Sequence, residues 1–62
     1  MCEVRVLLEK EGKLEEFMDN VTIIKPEGEK LLLIDLFGTQ KYVEAALKEL
    51  KLLEHQVIIT PK

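Results

Sequence analysis

The 62-residue sequence has few of the cysteine and histidine residues that form disulfide bonds and metal sites. One cysteine excludes an internal disulfide framework, and with one histidine there is no paired Cys or His motif to complete a metal site within one chain. No apolar run approaches the roughly 20 residues needed to span a bilayer, and Glu3 and Arg5 interrupt any signal-peptide pattern. We therefore expect a cytoplasmic protein without a membrane segment, whose thiol stays reduced and whose metal ligands, if any, come from more than one chain.

Basic and aromatic residues are also scarce. Nine basic against twelve acidic residues give a net charge of −3, and there are two Phe, one Tyr and no Trp. A basic stripe and stacking aromatics are what nucleic-acid-binding surfaces need, so nucleic acid is an unfavoured partner. No carboxylate pair has a spacing that indicates general acid and base catalysis, and we expect no enzyme.

Aliphatic residues are abundant for so short a chain. Hydrophobic residues make up 47% of the sequence, and one domain spanning residues 1–62 cannot bury all of them inside itself. The surplus predicts a subunit interface, most often a twofold one. We therefore expect a homodimer.

Hydrophobic and more polar residues alternate with a period of two almost from the first residue. Val4, Val6 and Leu8 alternate with more polar positions between Glu3 and Glu9, which predicts a half-buried strand. Later strands are indicated by the β-branched run 21–25 and the apolar run 30–37, with turns predicted around Gly12, Pro26–Glu29 and Gly38–Gln40. The segment 14–19 is compatible with one helical turn or with a strand that turns Phe17 inward.

The segment 41–53 decides the fold class. Its alanines, leucines and lysines are strong helix formers, and Val43, Leu47, Leu50 and Leu53 fall at helical spacing. No capping residue marks a helix start, however, and the segment runs directly into the strand-like stretch 56–60. Context favours a long strand and hairpin, with a helical turn near residues 43–50 as the alternative.

An ordered set of short segments resembles a known family. The set is Met1-Cys2-Glu3, the hairpin glycine Gly12, Asp19-Asn20-Val21, the strand end Ile34–Gly38, and Leu52–Ile58. Together they resemble the CooT family of small nickel-binding proteins over essentially the whole chain. The resemblance implies an all-β fold, a small, strongly bent antiparallel sheet or barrel of SH3-like or Sm-like type. It also implies a homodimer and makes Cys2 the ligand of Ni(II).

The chemistry of such a site is consistent with one cysteine per chain. Nickel(II) accepts thiolate together with nitrogen donors in square-planar geometry. Two chains related by a twofold axis could present two Cys2 thiolates and two nitrogens to one ion. If Met1 is removed, Cys2 supplies its own amine; if Met1 is retained, the nitrogen comes from the Cys2 amide or elsewhere.

Other candidate residues have more ordinary interpretations. A lone cysteine is usually a small buried apolar residue, and only the resemblance reverses this for Cys2. His55 lies in a polar turn and is expected to be solvated or turn-stabilising, with a role as a second ligand as the alternative. Glu3 is expected to be a surface charge, and Asp35 to be structural rather than catalytic.

Three functions compete at this point. The first, implied by the resemblance, is a nickel carrier or accessory protein that serves the maturation of a nickel enzyme such as carbon monoxide dehydrogenase. Its partners would be that enzyme or its maturation factors. The alternatives are a small Sm-like RNA-binding module and a structural interaction module with an incidental cysteine.

Overall fold

The computed structural model describes residues 3–62, and they form one curled sheet of six strands. The strands are β1 (Val4–Lys10), β2 (Lys13–Glu27), β3 (Lys30–Asp35), β4 (Gln40–Val43), β5 (Ala45–Lys51) and β6 (Gln56–Pro61). One 3-10 turn, Leu52–Glu54, joins β5 to β6. The all-β prediction is confirmed: the sheet is a half-barrel, and no α-helix occurs in residues 3–62.

The first and last strands of the chain are neighbours in the sheet. The strand order is β4-β3-β2-β1-β6-β5, and β1 pairs with β6 in parallel, Arg5 opposite Gln56 and Leu8 opposite Ile59. The other four pairings are antiparallel. The sequence predicted an antiparallel sheet, and this one pair departs from it. This parallel pairing holds the start of β1 next to the turn that precedes β6.

The long strand β2 bends the sheet. Its first part pairs with β1 and its second part with β3, and the two parts meet at Val21, which is opposite both Val4 and Asp35. Asn20, just before the junction, has φ 56°, a conformation that asparagine tolerates better than most residues. Register shifts lie on both sides of this point, and such irregularities increase the local bend and twist.

Curling the sheet encloses an aliphatic core. Val6, Val21, Leu33 and Ile59 are completely or almost completely inaccessible to solvent. The full buried cluster consists of Val6, Met18, Val21, Leu31, Leu33, Ala45, Val57 and Ile59, with Phe17 and four other side chains packed against it. The strand alternative for residues 14–19 is therefore confirmed, and Phe17 is turned inward.

The ambiguous segment 41–53 is mostly strand, in β4 and β5, and contains no α-helix; its last two residues begin the 3-10 turn. The helical turn considered near residues 43–50 does not occur there; the 3-10 turn comes later, at Leu52–Glu54. Leu47 pairs with Ile59 and Leu50 with Val57, because a register shift at Lys48 inserts one extra residue into β5. The bulge therefore allows two leucines at a three-residue spacing, which is typical of a helix, to pair with residues two apart on β6.

Candidate metal centre at the start of the first strand

The proposed ligand Cys2 lies outside the described residues, as does Met1, so the site is defined by the residues that follow. In the sequence, Cys2 is three residues before Arg5. The backbone N–H of Arg5 donates a hydrogen bond to the carbonyl oxygen of His55 at 2.8 Å. A residue 50 positions away in sequence is thus held beside the start of β1.

His55 owes its place to the turn before β6. Its backbone N–H donates to the carbonyl of Leu52 at 3.2 Å, and its φ of 55° is in the left-handed region. That conformation closes the 3-10 turn and directs the chain into β6, parallel to β1. The turn-stabilising interpretation of His55 therefore agrees with its backbone. The same geometry makes His55 one of the residues that line the pocket described next.

A polar pocket of about 200 Å³ opens at this end of the sheet. It is lined by Glu3, Val4, Arg5, Asp19, Glu54, His55 and Gln56. The Arg5 Nε atom lies 3.8 Å from Asp19 Oδ1 and 3.9 Å from Glu16 Oε1, in half-exposed ion pairs that contribute little to stability. Three acidic residues and one arginine are thus part of the pocket wall, and one of the acidic residues, Asp19, is paired with the arginine.

Glu3 occupies a more enclosed position than a surface strand charge would. Its Oε2 atom is buried and accepts no hydrogen bond from the part of the chain that the structure describes. Across residues 3–62, however, no three His, Asp or Glu side chains converge closely enough to hold a metal ion. The described residues therefore form a polar pocket but not a complete metal site of their own.

Asp35 is structural, as its sequence position predicted. Its Oδ1 atom accepts hydrogen bonds from the backbone N–H groups of Phe37 and Thr39, both at 2.9 Å. These bonds hold the turn between β3 and β4. The Leu36 N–H then donates to the carbonyl of Asn20 at 2.8 Å, which ties this turn to the bend of β2.

Comparison with known proteins decides the family. A family model described as "CO dehydrogenase accessory protein CooT" matches residues 1–60. The chain belongs to the CooT family. No curated protein matches it. The resemblance seen in the sequence is confirmed, and the family is defined by an accessory role for CO dehydrogenase rather than by catalysis.

A solved structure supports the same assignment. It is a crystal structure assigned to CooT from Carboxydothermus hydrogenoformans, 31% identical, with a TM-score of 0.92. The match covers 98% of each chain. Similarity over both complete chains means that the half-barrel, with its parallel β1–β6 pair, is the fold of this CooT structure too. Within residues 3–62 no helix could span a membrane.

Sequence reasoning missed most of the residues around the start of β1. Asp19 and Glu54 were not singled out, and Arg5 was seen only as a charged strand position. The missing information was the parallel pairing of β1 with β6, which alone brings residues 54–56 to Glu3 and Val4. Alternation of hydrophobic residues identifies a strand but does not identify its neighbour.

Proposed function

We propose that this protein binds one Ni(II) per homodimer through the Cys2 thiolates of both chains and carries it to a nickel enzyme, CO dehydrogenase or one of its maturation factors. The observation that carries the proposal is the family match, which begins at residue 1 and includes Cys2. Thiolate is a strong ligand for Ni(II), and one cysteine per chain leaves the coordination sphere incomplete without a second chain.

The fold offers a reason why Cys2 would be an effective ligand. Val4 begins a strand that is paired on both sides, with β2 and with β6. Cys2 is two residues before this strand in sequence, and a fixed neighbouring strand reduces the freedom that a ligand has to lose on binding metal, which would favour affinity. Glu3, Asp19 and Glu54 line the pocket at this end of the sheet, and their negative charges would favour the approach of a divalent cation.

The remaining parts of the proposal concern the cell. We place the protein in the cytoplasm, where the Cys2 thiol stays reduced and available to nickel. We assign it no catalytic activity of its own. The RNA-binding alternative is not favoured, because the chain is acidic and the pocket wall at the start of β1 carries several carboxylates.

Native mass spectrometry tests the proposal directly. Purified wild-type protein and Cys2→Ala are each measured with and without one equivalent of Ni(II) per dimer. The expected result is a dimer with one nickel for the wild type and a dimer without nickel for Cys2→Ala. Stoichiometric nickel in Cys2→Ala would refute the role of the thiolate.

The same spectra report whether Met1 is retained. Preparations with and without Met1 are then compared by nickel titration, because they differ only in whether Cys2 carries a free amine. Stronger binding after Met1 removal identifies that amine as the nitrogen ligand. Equal binding assigns the nitrogen ligand to another residue, because removal of Met1 converts the Cys2 amide nitrogen into the amine.

A further inference from the structure

The turn between β3 and β4 presents the most exposed aromatic side chain of residues 3–62. Phe37 in this turn is 79% exposed, and its neighbour Leu36 is about half exposed. Ile23 on β2, also about half exposed, pairs with Ile34, which is two residues before Leu36. We call these four residues the turn patch. Single exposed apolar residues are ordinary on a protein surface, but a group of them around a phenylalanine is typical of a contact surface.

Hydrogen bonds of the turn hold Phe37 in a fixed position. Its N–H donates to Asp35 Oδ1 at 2.9 Å, and the Gly38 N–H donates to the carbonyl of Asp35 at 3.0 Å. The Asp35 N–H donates to the carbonyl of Thr39, also at 3.0 Å. An aromatic side chain on such a backbone loses little freedom when a partner covers it, and residues of this kind carry much of the binding energy of protein interfaces. Phe37 therefore has the properties of an anchor residue.

Aspartates border the turn patch. Asp35 is in the turn, and no lysine or arginine in the described part of the chain forms an ion pair with it. Asp19 is next to Asn20, whose carbonyl accepts a hydrogen bond from the Leu36 N–H at 2.8 Å. Within the segments 17–24 and 31–40, these two aspartates are the only charged residues.

Basic residues on the neighbouring strands already have partners of their own. They are Arg5 with Asp19 at 3.8 Å, Lys25 with Glu27 at 4.0 Å, and Lys41, whose Nζ lies 5.5 Å from the centre of the Phe17 ring. Because Phe17 packs against the core, this last contact directs Lys41 to the concave side of the sheet. The charge left over at the turn patch is therefore negative, and a complementary surface is basic.

This charge favours a basic protein over a second copy of the chain. In a twofold contact each surface meets itself, so the aspartates of one copy would face the same aspartates of the other. Like charges placed in this way oppose the contact, whereas lysines or arginines around an apolar pocket complement both the aspartates and Phe37. A nucleic acid is disfavoured for the same reason, since it is itself an anion.

The turn patch also adjoins the polar pocket at the start of β1. Asp19 lines that pocket, and the next residue, Asn20, is hydrogen-bonded to Leu36 of the turn patch. A protein that covers the turn patch would therefore lie next to the pocket. CO dehydrogenase is the enzyme that the CooT family serves as an accessory.

We propose that Phe37 is the anchor by which this protein docks on CO dehydrogenase, in an apolar pocket of the enzyme that is rimmed by lysines or arginines. The inference rests on the proposed function for the identity of the enzyme. It adds the surface that makes the contact and the chemistry of the complementary site.

Biolayer interferometry with immobilised, nickel-free CO dehydrogenase from the same organism tests this surface. Phe37→Ser removes the anchor, and Leu14→Ser makes a matched change at an exposed leucine at the opposite end of β1, where Leu14 pairs with Glu9. We expect Phe37→Ser to lower the affinity at least about 30-fold and Leu14→Ser to stay within about threefold of the wild type. A wild type that does not bind the enzyme would overturn the proposal, and so would equal weakening by the two variants.

Further measurements test the fold, the charges and the alternative occupant. Phe37→Ser leaves the backbone bond to Asp35 in place and is expected to keep the wild-type circular dichroism spectrum, while Phe37→Leu retains an apolar side chain and is expected to bind with intermediate affinity. The association rate of the wild type is expected to fall at least about fivefold between about 50 and 500 mM NaCl, and a rate independent of salt would refute the basic rim. If sedimentation velocity shows that Phe37→Ser converts a dimer into monomers, the turn patch contacts a second copy and the proposal is wrong.

Cys2→Ala in the same series separates this inference from the proposed function. We expect Cys2→Ala to bind the enzyme like the wild type but to take up no nickel. Enzyme binding that depends on Phe37, in a wild type that takes up no nickel, would support the surface and refute the nickel role. Nickel uptake that is lost in Cys2→Ala, together with wild-type enzyme binding by Phe37→Ser, would support the nickel role and refute the surface.

Discussion

The backbone N–H of Arg5 donates a 2.8 Å hydrogen bond to the carbonyl oxygen of His55. This bond begins the parallel ladder that continues through Arg5 opposite Gln56 to Leu8 opposite Ile59. The start of β1 is therefore positioned by the last strand of the sheet. The polar pocket at this end of the sheet and the parallel strand pair share these backbone contacts.

The backbone conformation of His55 leads to a prediction that distinguishes the role of its backbone from the role of its imidazole. His55→Asn keeps a residue that tolerates φ near 55°, whereas His55→Val places a β-branched residue there. We expect Val to lower the free energy of unfolding by about 1–2 kcal/mol and Asn to leave it nearly unchanged. Urea denaturation measures both variants.

Nickel titration of the same asparagine variant tests the second-ligand alternative. If His55 serves only the turn, we expect His55→Asn to bind nickel within about threefold of the wild type, because the proposed twofold site would keep both Cys2 thiolates. A loss of about tenfold or more, in a variant of unchanged stability, would make the imidazole a ligand or a direct support for one.

Asp35 provides a prediction about the turn between β3 and β4. Asp35→Ala removes the acceptor for the N–H groups of Phe37 and Thr39, and we expect a loss of about 1–2 kcal/mol in the free energy of unfolding. Asp35→Asn keeps an oxygen at the same position and is expected to lose less than half as much. Equal losses in both variants would show that the charge, not the turn geometry, matters.

The core leads to a prediction about Leu33, which is completely buried at the centre of the aliphatic cluster. Leu33→Ala is expected to lower the free energy of unfolding by about 2–5 kcal/mol, a large fraction of the total stability of so small a domain. Leu14→Ala, at a residue 49% exposed, is expected to cost less than about 1 kcal/mol. Thermal unfolding by circular dichroism compares the two, and similar melting temperatures would contradict the assigned core.

The proposed binding of nickel to the folded protein leads to a prediction about its melting temperature. A ligand that binds only the folded dimer raises its stability, by about 2.7 kcal/mol when its free concentration is 100 times Kd. Nickel should therefore raise the melting temperature of the wild type, and a chelator should reverse the increase. Cys2→Ala is the control, and an equal increase in that variant would locate the metal elsewhere.

Much of the fold was predictable because alternation and turn residues are local signals. The first strand, the apolar strand β3 and the glycine turns were all read from neighbouring residues. The bulge at Lys48 was not, because it makes Leu47 and Leu50 share a sheet face at a spacing that is typical of helices. The choice between strand and helix there depends on contacts with Ile59 and Val57, which are formed only when β6 is in place.

The sequence suggested a ligand for the candidate site, which stays a prediction, but it did not predict the residues of the pocket. Cys2 was identified through the resemblance, and it lies outside the described residues. Asp19 and Glu54 line the pocket only because β2 passes beside β1 and the turn before β6 is drawn to Arg5. Neither residue carries a local pattern that distinguishes it from the other acidic residues of the chain.

The parallel pairing of the first and last strands also has a consequence for the order of events during synthesis. Arg5 and Gln56 are neighbours in space but are separated by almost the whole chain, and contacts of such long range form late and slowly. The pocket at the start of β1 can form only after residues 55–59 have left the ribosome, because Glu54, His55 and Gln56 are part of its wall. Partly synthesised chains would therefore lack the pocket, and with it any binding that depends on its complete wall.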